Sequence, residues 1–393
     1  MQYDFDTPID RTHTWSIKHD FKKENGKADD ILPLWVADMD FRSPDSVVEA
    51  LKKAVDHGIF GYSRADESYF DAVAAWYQKR HHLTLQPEWM TCTPGIVFAL
   101  SIAVRAFTQE GDAVLIQPPV YHPFSRAILR NKRTLVENPL VLKDGHYEMD
   151  LEDLEQKVLD EHVKLMILCN PHNPVGRVWT REELTALADI CLRHHVYVIS
   201  DEIHGDFVWQ GHEQTPYASI SEEACLHSMM CTAPSKTFNL AGLVGSYHIV
   251  FNRMLRDRLE AKSKKSHYNT MNVLSMHALI GAYEAEGYTW VNELCQVLSE
   301  NVEYAVNHIR DYYRGINVSK PQGTYMLFLD CEDWCEENYK SLDELLKAGW
   351  DVGVAWQDGR PFHQEYGIRM NLALPLSRVK EAFERLDAYV FHV

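Results

Sequence analysis

The stretch KLMILCNPHNPVGRVWTREELTALADICLRHHVYVISDEIHGDF (residues 164–207) decides the fold. It contains two short apolar runs, KLMILC (164–169) and VYVIS (196–200), which are typical of buried strands. Between them, apolar residues recur at helical spacing over REELTALADICLRHH (181–195). A strand, a helix and a second strand in this order predict a unit of parallel α/β sheet.

The alternation of strands and helices continues on both sides of this stretch. Thr180 and Glu183 predict a capping box at the start of the helix. The patterns predict a mainly parallel sheet in a large domain at 51–285, and a smaller α+β domain formed by 1–50 and 286–393. Further predicted elements are the strands AVLIQ (113–117), HSMMCT (227–232), SYHIV (246–250), TYMLFLD (324–330) and IRMNLA (368–373), and helices at 288–313, at SLDELLKAGW (341–350) and at the C-terminus.

The composition is that of an acidic globular protein. Of the 393 residues, 46% are hydrophobic, and 57 Asp and Glu against 39 Lys and Arg give a net charge of −18. This charge disfavours binding to nucleic-acid phosphates, so we expect no nucleic-acid partner. The longest apolar stretch, GIVFALSIAVRAF (95–107), is too short to span a bilayer. The polar start MQYDFDTPIDRTHTW (1–15) lacks the features of a signal peptide, so we expect a cytoplasmic protein without a membrane partner.

The eight cysteines are scattered, and several lie within apolar runs. This pattern favours small core residues in a reducing compartment over disulfide pairs. Cys331, Cys335 and His363 are an alternative set of metal ligands, but their spacing is loose. The acidic stretch CEDWCEEN (331–338) is expected to be a solvated turn, and we predict no metal site.

The segment CTAPSKTFNLAGL (231–243) contains a candidate reactive lysine. Lys236 closely follows a predicted apolar strand and lies between Ser235 and Thr237. Burial lowers the pKa of a lysine and makes its amine nucleophilic. The alternative is an ordinary surface lysine, the usual state of this residue type.

Other polar residues follow predicted strands, where open α/β sheets bind their ligands. Asp201 comes directly after VYVIS, and it either faces a ligand or caps the next helix. Asn173, between two prolines in NPHNP (170–174), suits a rigid hydrogen-bond donor or belongs to a simple turn. Tyr121 in QPPVYHPF (117–124) presents an aromatic face after a Pro-Pro bend.

Two more segments contain candidates for anion binding. TPGIV (93–97) starts a helix whose first N–H groups can bind an anion, unless the helix is an ordinary capped one. Arg369 lies in GIRMNLA (367–373), where a guanidinium among apolar residues is costly unless it pairs with a carboxylate. That carboxylate belongs either to a ligand or to a buried structural salt bridge.

In their order and spacing these motifs resemble one known family. The chain resembles the fold-type I pyridoxal-phosphate enzymes related to class I and II aminotransferases, and within them the MalY/PatB-type cystathionine β-lyases, which are C–S lyases. The likeness covers nearly the whole chain through LPLWVADMDF (32–41), FGY (60–62), TPGIV, PPVYHPF, NPHNPVGRVW, SDEIHGDF, SKTFNLAGL and IRMNLA.

The resemblance implies a role for each candidate. Lys236 is implied to bind pyridoxal 5′-phosphate covalently, and Asp201 to keep the pyridine nitrogen of the cofactor protonated. Tyr121 is implied to stack on the cofactor ring. Asn173 is implied to hydrogen-bond its phenolic oxygen and to contact the substrate. Arg369 is implied to bind the α-carboxylate of the substrate.

The resemblance also implies where the cofactor phosphate binds. Gly95, Ile96 and Val97 correspond to the phosphate loop at a helix N-terminus, and Ser235 adds a hydroxyl. Tyr62 is implied to reach the phosphate of the neighbouring subunit. We therefore expect a homodimer with shared active sites.

The chain departs at three positions from many aminotransferases of this fold. His204, in the implied cofactor site, replaces a tyrosine three residues after the aspartate. Ala233 and Val244 replace a serine and a basic residue on either side of Lys236. These departures favour the lyase branch. The resemblance further implies that the Asn173–Pro174 peptide bond is cis.

From these features we expect an enzyme that performs α,β-elimination on L-cystathionine or a related cysteine S-conjugate. The products would be a thiol, pyruvate and ammonia. An aminotransferase that uses the same residues is the alternative within enzymes. A cofactor-responsive binding or regulatory protein is the alternative from another class, although it has no need of the lysine, aspartate and arginine set.

Overall fold

Short strands alternate with helices along most of the chain in the computed structural model, which describes residues 1–21, 30–267 and 270–393. The strands are β1 (Leu32–Pro33), β2 (Met90–Thr93), β3 (Ala113–Ile116), β4 (Thr134–Glu137), β5 (Val141–Lys143), β6 (His146–Glu148), β7 (Leu165–Cys169), β8 (Tyr197–Asp201), β9 (Ser228–Thr232), β10 (Ser246–Ile249), β11 (Asn317–Val318), β12 (Met326–Asp330), β13 (Val354–Ala355), β14 (Gln357–Asp358) and β15 (Gly367–Asn371). The α-helices are α1 (Asp45–His57), α2 (Glu67–Arg80), α3 (Ile96–Phe107), α4 (Pro123–Arg130), α5 (Leu151–Asp160), α6 (Arg181–Arg193), α7 (Glu222–Leu226), α8 (Pro234–Thr237), α9 (Arg253–Lys264), α10 (Val273–Ala282), α11 (Ala285–Tyr312), α12 (Glu332–Asn338), α13 (Leu342–Asp351) and α14 (Leu376–Leu386).

The central sheet has seven strands in the order β2-β10-β9-β8-β7-β3-β4. The pairs from β9 to β4 are parallel, while β10 runs antiparallel to both of its neighbours. Strands β3, β7, β8 and β9 are buried throughout or nearly so, as expected for a sheet that helices cover on both faces. Residues of α3, α4 and α9 pack on one face, and residues of α5, α6 and α7 pack on the other.

The parallel arrangement gathers the carboxyl ends of five strands, β9, β8, β7, β3 and β4, at one edge of the sheet. In the register of the sheet, Asp201 at the end of β8 lies opposite Cys169 of β7 and Cys231 of β9. The loop after each strand therefore starts at the same level. This edge is where open α/β sheets bind ligands.

A second, four-stranded antiparallel sheet has the order β11-β12-β15-β14. Its residues join a core that includes residues of α11, α13 and α14. In this sheet Arg369 of β15 lies between Phe328 of β12 and Gln357 of β14. The short strand β1 pairs in parallel with β13, which ties the start of the chain to this region.

The structure confirms the predicted elements within a few residues at their ends, including the long helix at Ala285–Tyr312. The capping box is present, with the Thr180 hydroxyl accepting from the Glu183 N–H and the Glu183 carboxylate accepting from the Thr180 N–H. The division of the chain into domains at 51–285 and at 1–50 with 286–393 stays a prediction. No helix within the described ranges is both long enough and apolar enough to cross a membrane.

The solvated turn expected at CEDWCEEN is wrong. Residues Glu332–Asn338 form helix α12, in which Trp334 and Cys335 are buried. The acidic residues lie on the outer face of this helix, which is why the composition suggested solvent exposure. His363 pairs with Glu137 at 2.6 Å, and the described residues contain no group of three or more potential metal ligands. All eight cysteines are free thiols, and five of them are buried.

Candidate active site

A cavity of about 230 Å³ opens beside the carboxyl ends of the central strands. Its walls include most of the residues that the sequence analysis selected. These are Gly95, Ile96, Val97, Tyr121, Asn173, Asp201, His204, Ser235 and Lys236. Arg369 is not in the wall but is hydrogen-bonded to Asn173, whereas Tyr62 lies elsewhere. One cavity thus unites residues from five separate segments of the chain.

Lys236 lies in the third position of α8, directly beyond β9. Its amine donates a hydrogen bond to the carbonyl oxygen of Ala37 at 2.6 Å. Burial lowers the pKa of this amine to about 8, with help from the positive charge of Arg369 and against the charges of Asp38 and Asp201. A substantial fraction of the amine is therefore neutral near physiological pH, unlike that of a surface lysine.

Asp201 is buried at the end of β8. One carboxylate oxygen accepts a hydrogen bond from the N–H of Ile203 at 3.2 Å, which turns the chain after the strand. No helix begins there, so the alternative of a helix cap is wrong. Burial raises the pKa of this carboxyl to about 7, although the Ile203 N–H and the charge of Lys236 oppose the shift.

The neighbouring carboxylate of Glu202 points away from the cavity. It accepts hydrogen bonds from the Ser200 hydroxyl, the Gln214 amide and the Tyr217 N–H at 2.8, 3.1 and 2.9 Å. These donors satisfy a buried acidic group within the protein. Of the adjacent pair, only Asp201 lines the cavity.

Arg369 is 4% exposed and forms its hydrogen bonds with neutral oxygens. Its guanidinium donates to the side-chain oxygen of Asn173 and to the carbonyl of Trp35, both at 3.2 Å. Its Nε has no partner, and among the described residues no carboxylate forms an ion pair with it. The guanidinium also lies 4.8 Å from the ring centre of Phe362. The buried structural salt bridge is therefore not formed within the described chain.

Asn173 is buried in the loop after β7, and its peptide bond to Pro174 is cis, as predicted. The Asn173 N–H donates to the sulfur of Cys169 at 3.3 Å. The side-chain oxygen accepts a hydrogen bond from Arg369, so the amide nitrogen points away from the guanidinium. The loop is thus more than a simple turn, because it places a buried amide in the cavity wall.

Two aromatic side chains complete this part of the wall. Tyr121 packs edge-on against Phe124, with ring centres 5.8 Å apart, and its own ring lines the cavity. His204 is buried with an unpartnered Nδ1, and desolvation lowers its pKa to about 3, assisted by the charges of Lys236 and Arg369. His204 is therefore neutral and contributes no charge at neutral pH.

The first turn of α3 forms the opposite side of the cavity. Gly95 precedes the helix with φ of 97°, a left-handed conformation that favours glycine. Gly95 at the N-cap has no side chain to cap this helix, no hydrogen bond from another described side chain caps it, and Ile96 and Val97 line the cavity. Such a terminus is electropositive and suits an anion. Ser235 lines the same cavity.

Tyr62 is fully exposed in the connection between α1 and α2 and is outside the cavity. Ile59 and Phe60 beside it are also mostly exposed. Within one chain, Tyr62 is therefore not part of the cavity wall that the start of α3 helps to form. The structure leaves this residue available to another molecule.

Residues 35–41 (WVADMDF), which we call the carbonyl segment, were not among the predicted site residues. They contribute main-chain oxygens that accept hydrogen bonds from the site. The Trp35 carbonyl accepts from Arg369 and the Ala37 carbonyl accepts from Lys236. The Tyr325 hydroxyl donates to the same Ala37 oxygen at 3.2 Å. Every residue has a main-chain oxygen, so residue type does not show which of these oxygens accept hydrogen bonds in a site. Only the likeness of LPLWVADMDF to the family motif indicated that this segment matters.

These features fit pyridoxal phosphate. The cavity combines an amine of lowered pKa, an uncapped helix start for a phosphate, a buried carboxylate and an aromatic face. Each matches one part of the cofactor: its aldehyde, phosphate, pyridine nitrogen and ring. Val244 lines the cavity where many aminotransferases of this fold have a basic residue, so a phosphate bound here would meet no cation from this position.

Comparison with known proteins agrees with this site. Residues 29–386 match the family described as aminotransferase class I and II. The cystathionine beta-lyase PatB of Bacillus subtilis is 41% identical over 98% of this chain and 99% of its own length. Protein MalY of Escherichia coli is 32% identical over 96% of each chain. The structure of a PLP-bound C–S lyase from Staphylococcus hominis is similar with a TM-score of 0.89 and 31% identity over 98% of each chain.

The family match, the fold and the cavity agree with one another along almost the entire chain. The chain belongs to the aminotransferase class I and II family of pyridoxal-phosphate-dependent enzymes, in the branch that contains PatB and MalY.

Proposed function

We propose that the protein is a carbon–sulfur lyase that performs α,β-elimination on L-cystathionine or a related cysteine S-conjugate. The observation that carries this proposal is the 41% identity with PatB, a cystathionine beta-lyase, over 98% of this chain. The cavity supports it, because it places Lys236 and Asp201 together with Arg369 close by. With these three residues, one side chain can bind the carboxylate of a substrate while another removes the proton from the adjacent carbon.

Substrate binding begins, in this proposal, at Arg369. Its buried guanidinium has an unpartnered Nε and binds the substrate α-carboxylate. The hydrogen bonds to Asn173 and Trp35 fix the plane of the guanidinium before the substrate arrives. This orientation directs the Cα–H bond of the substrate toward the amine of Lys236.

Lys236 moves the proton in the next step. Pyridoxal phosphate, when bound, supplies an electron sink for the charge left at the substrate Cα. The neutral amine of Lys236 accepts the Cα proton as a general base, which its pKa of about 8 permits near neutral pH. The Asp201 carboxylate would hold the pyridine end of the cofactor and favour a proton on its nitrogen, and a positive charge there would favour the ionised form of this buried carboxyl.

Cleavage of the Cβ–S bond completes the elimination. The sulfur departs with the bonding electrons as a thiolate, and the ammonium form of Lys236 is a proton donor within the cavity. The remaining three-carbon fragment takes up one water to give pyruvate and ammonia. For L-cystathionine the thiol is homocysteine.

We also propose a homodimer that shares its active sites, and a cytoplasmic location. Tyr62 supports the dimer, because it is exposed on one chain and suits the phosphate of a neighbouring one. The two apolar residues beside it, Ile59 and Phe60, are also exposed. The free thiols of all eight cysteines support a reducing compartment.

The elimination is tested by supplying L-cystathionine to the purified holoenzyme without any keto acid. We expect continuous release of pyruvate, ammonia and thiol, because elimination returns the enzyme to its starting state in every cycle. Sulfur-free L-2-aminobutyrate serves as the control and should give no such release.

Other outcomes of this assay identify the alternatives. Turnover that stops after one equivalent until a keto acid is added would establish an aminotransferase, the activity for which the family is named. Tight cofactor binding without any turnover would establish a binding or regulatory protein.

Replacement of Lys236 by alanine tests the cofactor attachment. After borohydride reduction, the mass of the wild-type chain should increase by one cofactor, whereas the Lys236→Ala chain should gain none. Lys264→Ala is the control, because Lys264 lies exposed in an ion pair with Glu260. A borohydride-fixed cofactor in Lys236→Ala would contradict the assignment.

The dimer is tested by dilution of the holoenzyme during sedimentation. Dissociation should release cofactor and lower activity in parallel, and Tyr62→Ala should weaken cofactor retention in the dimer. The matched control is Tyr339→Ala, another almost fully exposed tyrosine. A monomer that keeps its cofactor and full activity would refute the shared site.

A further inference from the structure

A cluster of buried and partly buried charges contacts the carbonyl segment. The amine of Lys18 contacts the carboxylates of Asp40 at 3.0 Å and Asp38 at 3.6 Å, and it donates to the Asp38 carbonyl at 3.1 Å. Arg11 forms ion pairs with Asp38 at 2.9 Å and with Asp40 at 2.7 Å. His19 lies 2.9 Å from Asp40. Both aspartates belong to the carbonyl segment.

These ion pairs are not surface contacts. Lys18 is 0% exposed and Asp40 is 7% exposed. Although burial alone would raise it, the pKa of Asp40 lies well below its usual value because of the charge of Lys18 and the contact with His19. A buried carboxylate that loses one of its cations is strongly destabilised. Removal of Lys18 or Arg11 is therefore expected to shift Asp40 and, with it, the backbone of the carbonyl segment.

Residues near Lys236 and Arg369 in the sequence also hold the carbonyl segment through hydrogen bonds. Asn239, three residues after Lys236, accepts from the Met39 N–H at 3.0 Å and donates to the Met39 carbonyl at 2.8 Å. Asn371, two residues after Arg369, donates to the carbonyls of Val36 and Asp38. The segment is therefore clamped between the charge cluster and the two strand–loop elements that supply Lys236 and Arg369.

The cluster also sets the charge near the reactive amine. The charged groups that act on Lys236 are Arg369, Asp38 and Asp201, and the adjacent His204 is neutral. Asp38 favours the protonated amine, but its charge is balanced by Arg11 and Lys18. Removal of either cation exposes Lys236 to more negative charge, which raises its pKa.

We propose that Arg11 and Lys18 are positioning residues for the active site, which fix the carbonyl segment so that its main-chain oxygens hold Lys236 and Arg369 in place. Neither residue contacts the cavity that holds the reacting groups. The inference rests on the role proposed for Lys236 in cofactor attachment.

The test compares Lys18→Met and Arg11→Met with wild type and with Arg133→Met. Arg133 is a buried arginine that holds the Thr108 and Asn131 carbonyls, far along the chain from the carbonyl segment. Arg11→Lys restores the charge at a partly exposed position, so it serves as the rescue.

The first readout is the pH dependence of pyridoxal-phosphate capture by the full-length chain stripped of cofactor. Capture requires the neutral amine of Lys236, so its rate should rise with pH through a midpoint of about 8 in wild type. In Lys18→Met and Arg11→Met the midpoint should move upward by about one unit. Arg11→Lys and Arg133→Met should keep the wild-type midpoint.

The second readout is the kinetics of the holoenzyme. Misplacement of Lys236 and Arg369 should lower kcat/KM by about ten- to a hundredfold, with KM raised as well as kcat lowered. Folded Lys18→Met and Arg11→Met variants with wild-type midpoint and kinetics would overturn the proposal, as would an equal loss in Arg133→Met. If Lys18→Met does not fold, Arg11→Met with its rescue decides the question. Failure of the wild-type chain to capture the cofactor at Lys236 would instead refute the proposed function.

Discussion

A buried guanidinium that has no carboxylate partner among the described residues is the constraint on which the site depends. Arg369 lies in the middle of an antiparallel sheet, between Phe328 and Gln357, and is removed from water. Burial of an unpaired charge is expensive, and it lowers the pKa of this arginine to about 10. The protein meets only part of that cost with neutral oxygens and the face of Phe362. In the function that we propose, the α-carboxylate of the substrate supplies the charged partner that these neutral groups do not.

The second requirement is an amine that can lose its proton beside this cation. Desolvation and the neighbouring Arg369 both lower the pKa of Lys236. Arg369 therefore stays charged while part of the Lys236 amine is neutral. Asp201 ends β8 and lines the same cavity as Lys236, and its charge opposes these two effects on the Lys236 pKa. Although the chain carries a net charge of −18, Arg369 thus lies beside the cavity wall, hydrogen-bonded to Asn173, where we propose that the substrate carboxylate binds.

Much of this arrangement could be predicted from the sequence, because strands, loops and strand-end residues leave signals in residue type. The βαβ pattern at 164–207 predicted the parallel sheet, and the sheet brings Asn173 and Asp201 to one edge. The helix in CEDWCEEN was missed because its acidic outer face conceals the buried Trp334 and Cys335. The carbonyl segment was missed for a different reason: its contribution is made by main-chain oxygens, whose partners depend on tertiary packing. Lys18 is connected to Lys236 through an ion pair with Asp38 and the main-chain oxygen of Ala37. These residues are far apart in the sequence, so no local sequence pattern predicts the connection.

The proposal that Arg369 binds the substrate carboxylate is tested most directly by a thermodynamic cycle. Equilibrium binding of L-alanine and of its carboxamide to the holoenzyme is measured in wild type and in Arg369→Met. The cycle cancels the difference between the amines of the two ligands. The ratio of the two affinities should favour L-alanine about ten- to a hundredfold more in wild type than in Arg369→Met, which is the value of a charge-assisted hydrogen bond. An affinity ratio that is the same in wild type and in Arg369→Met would contradict the account.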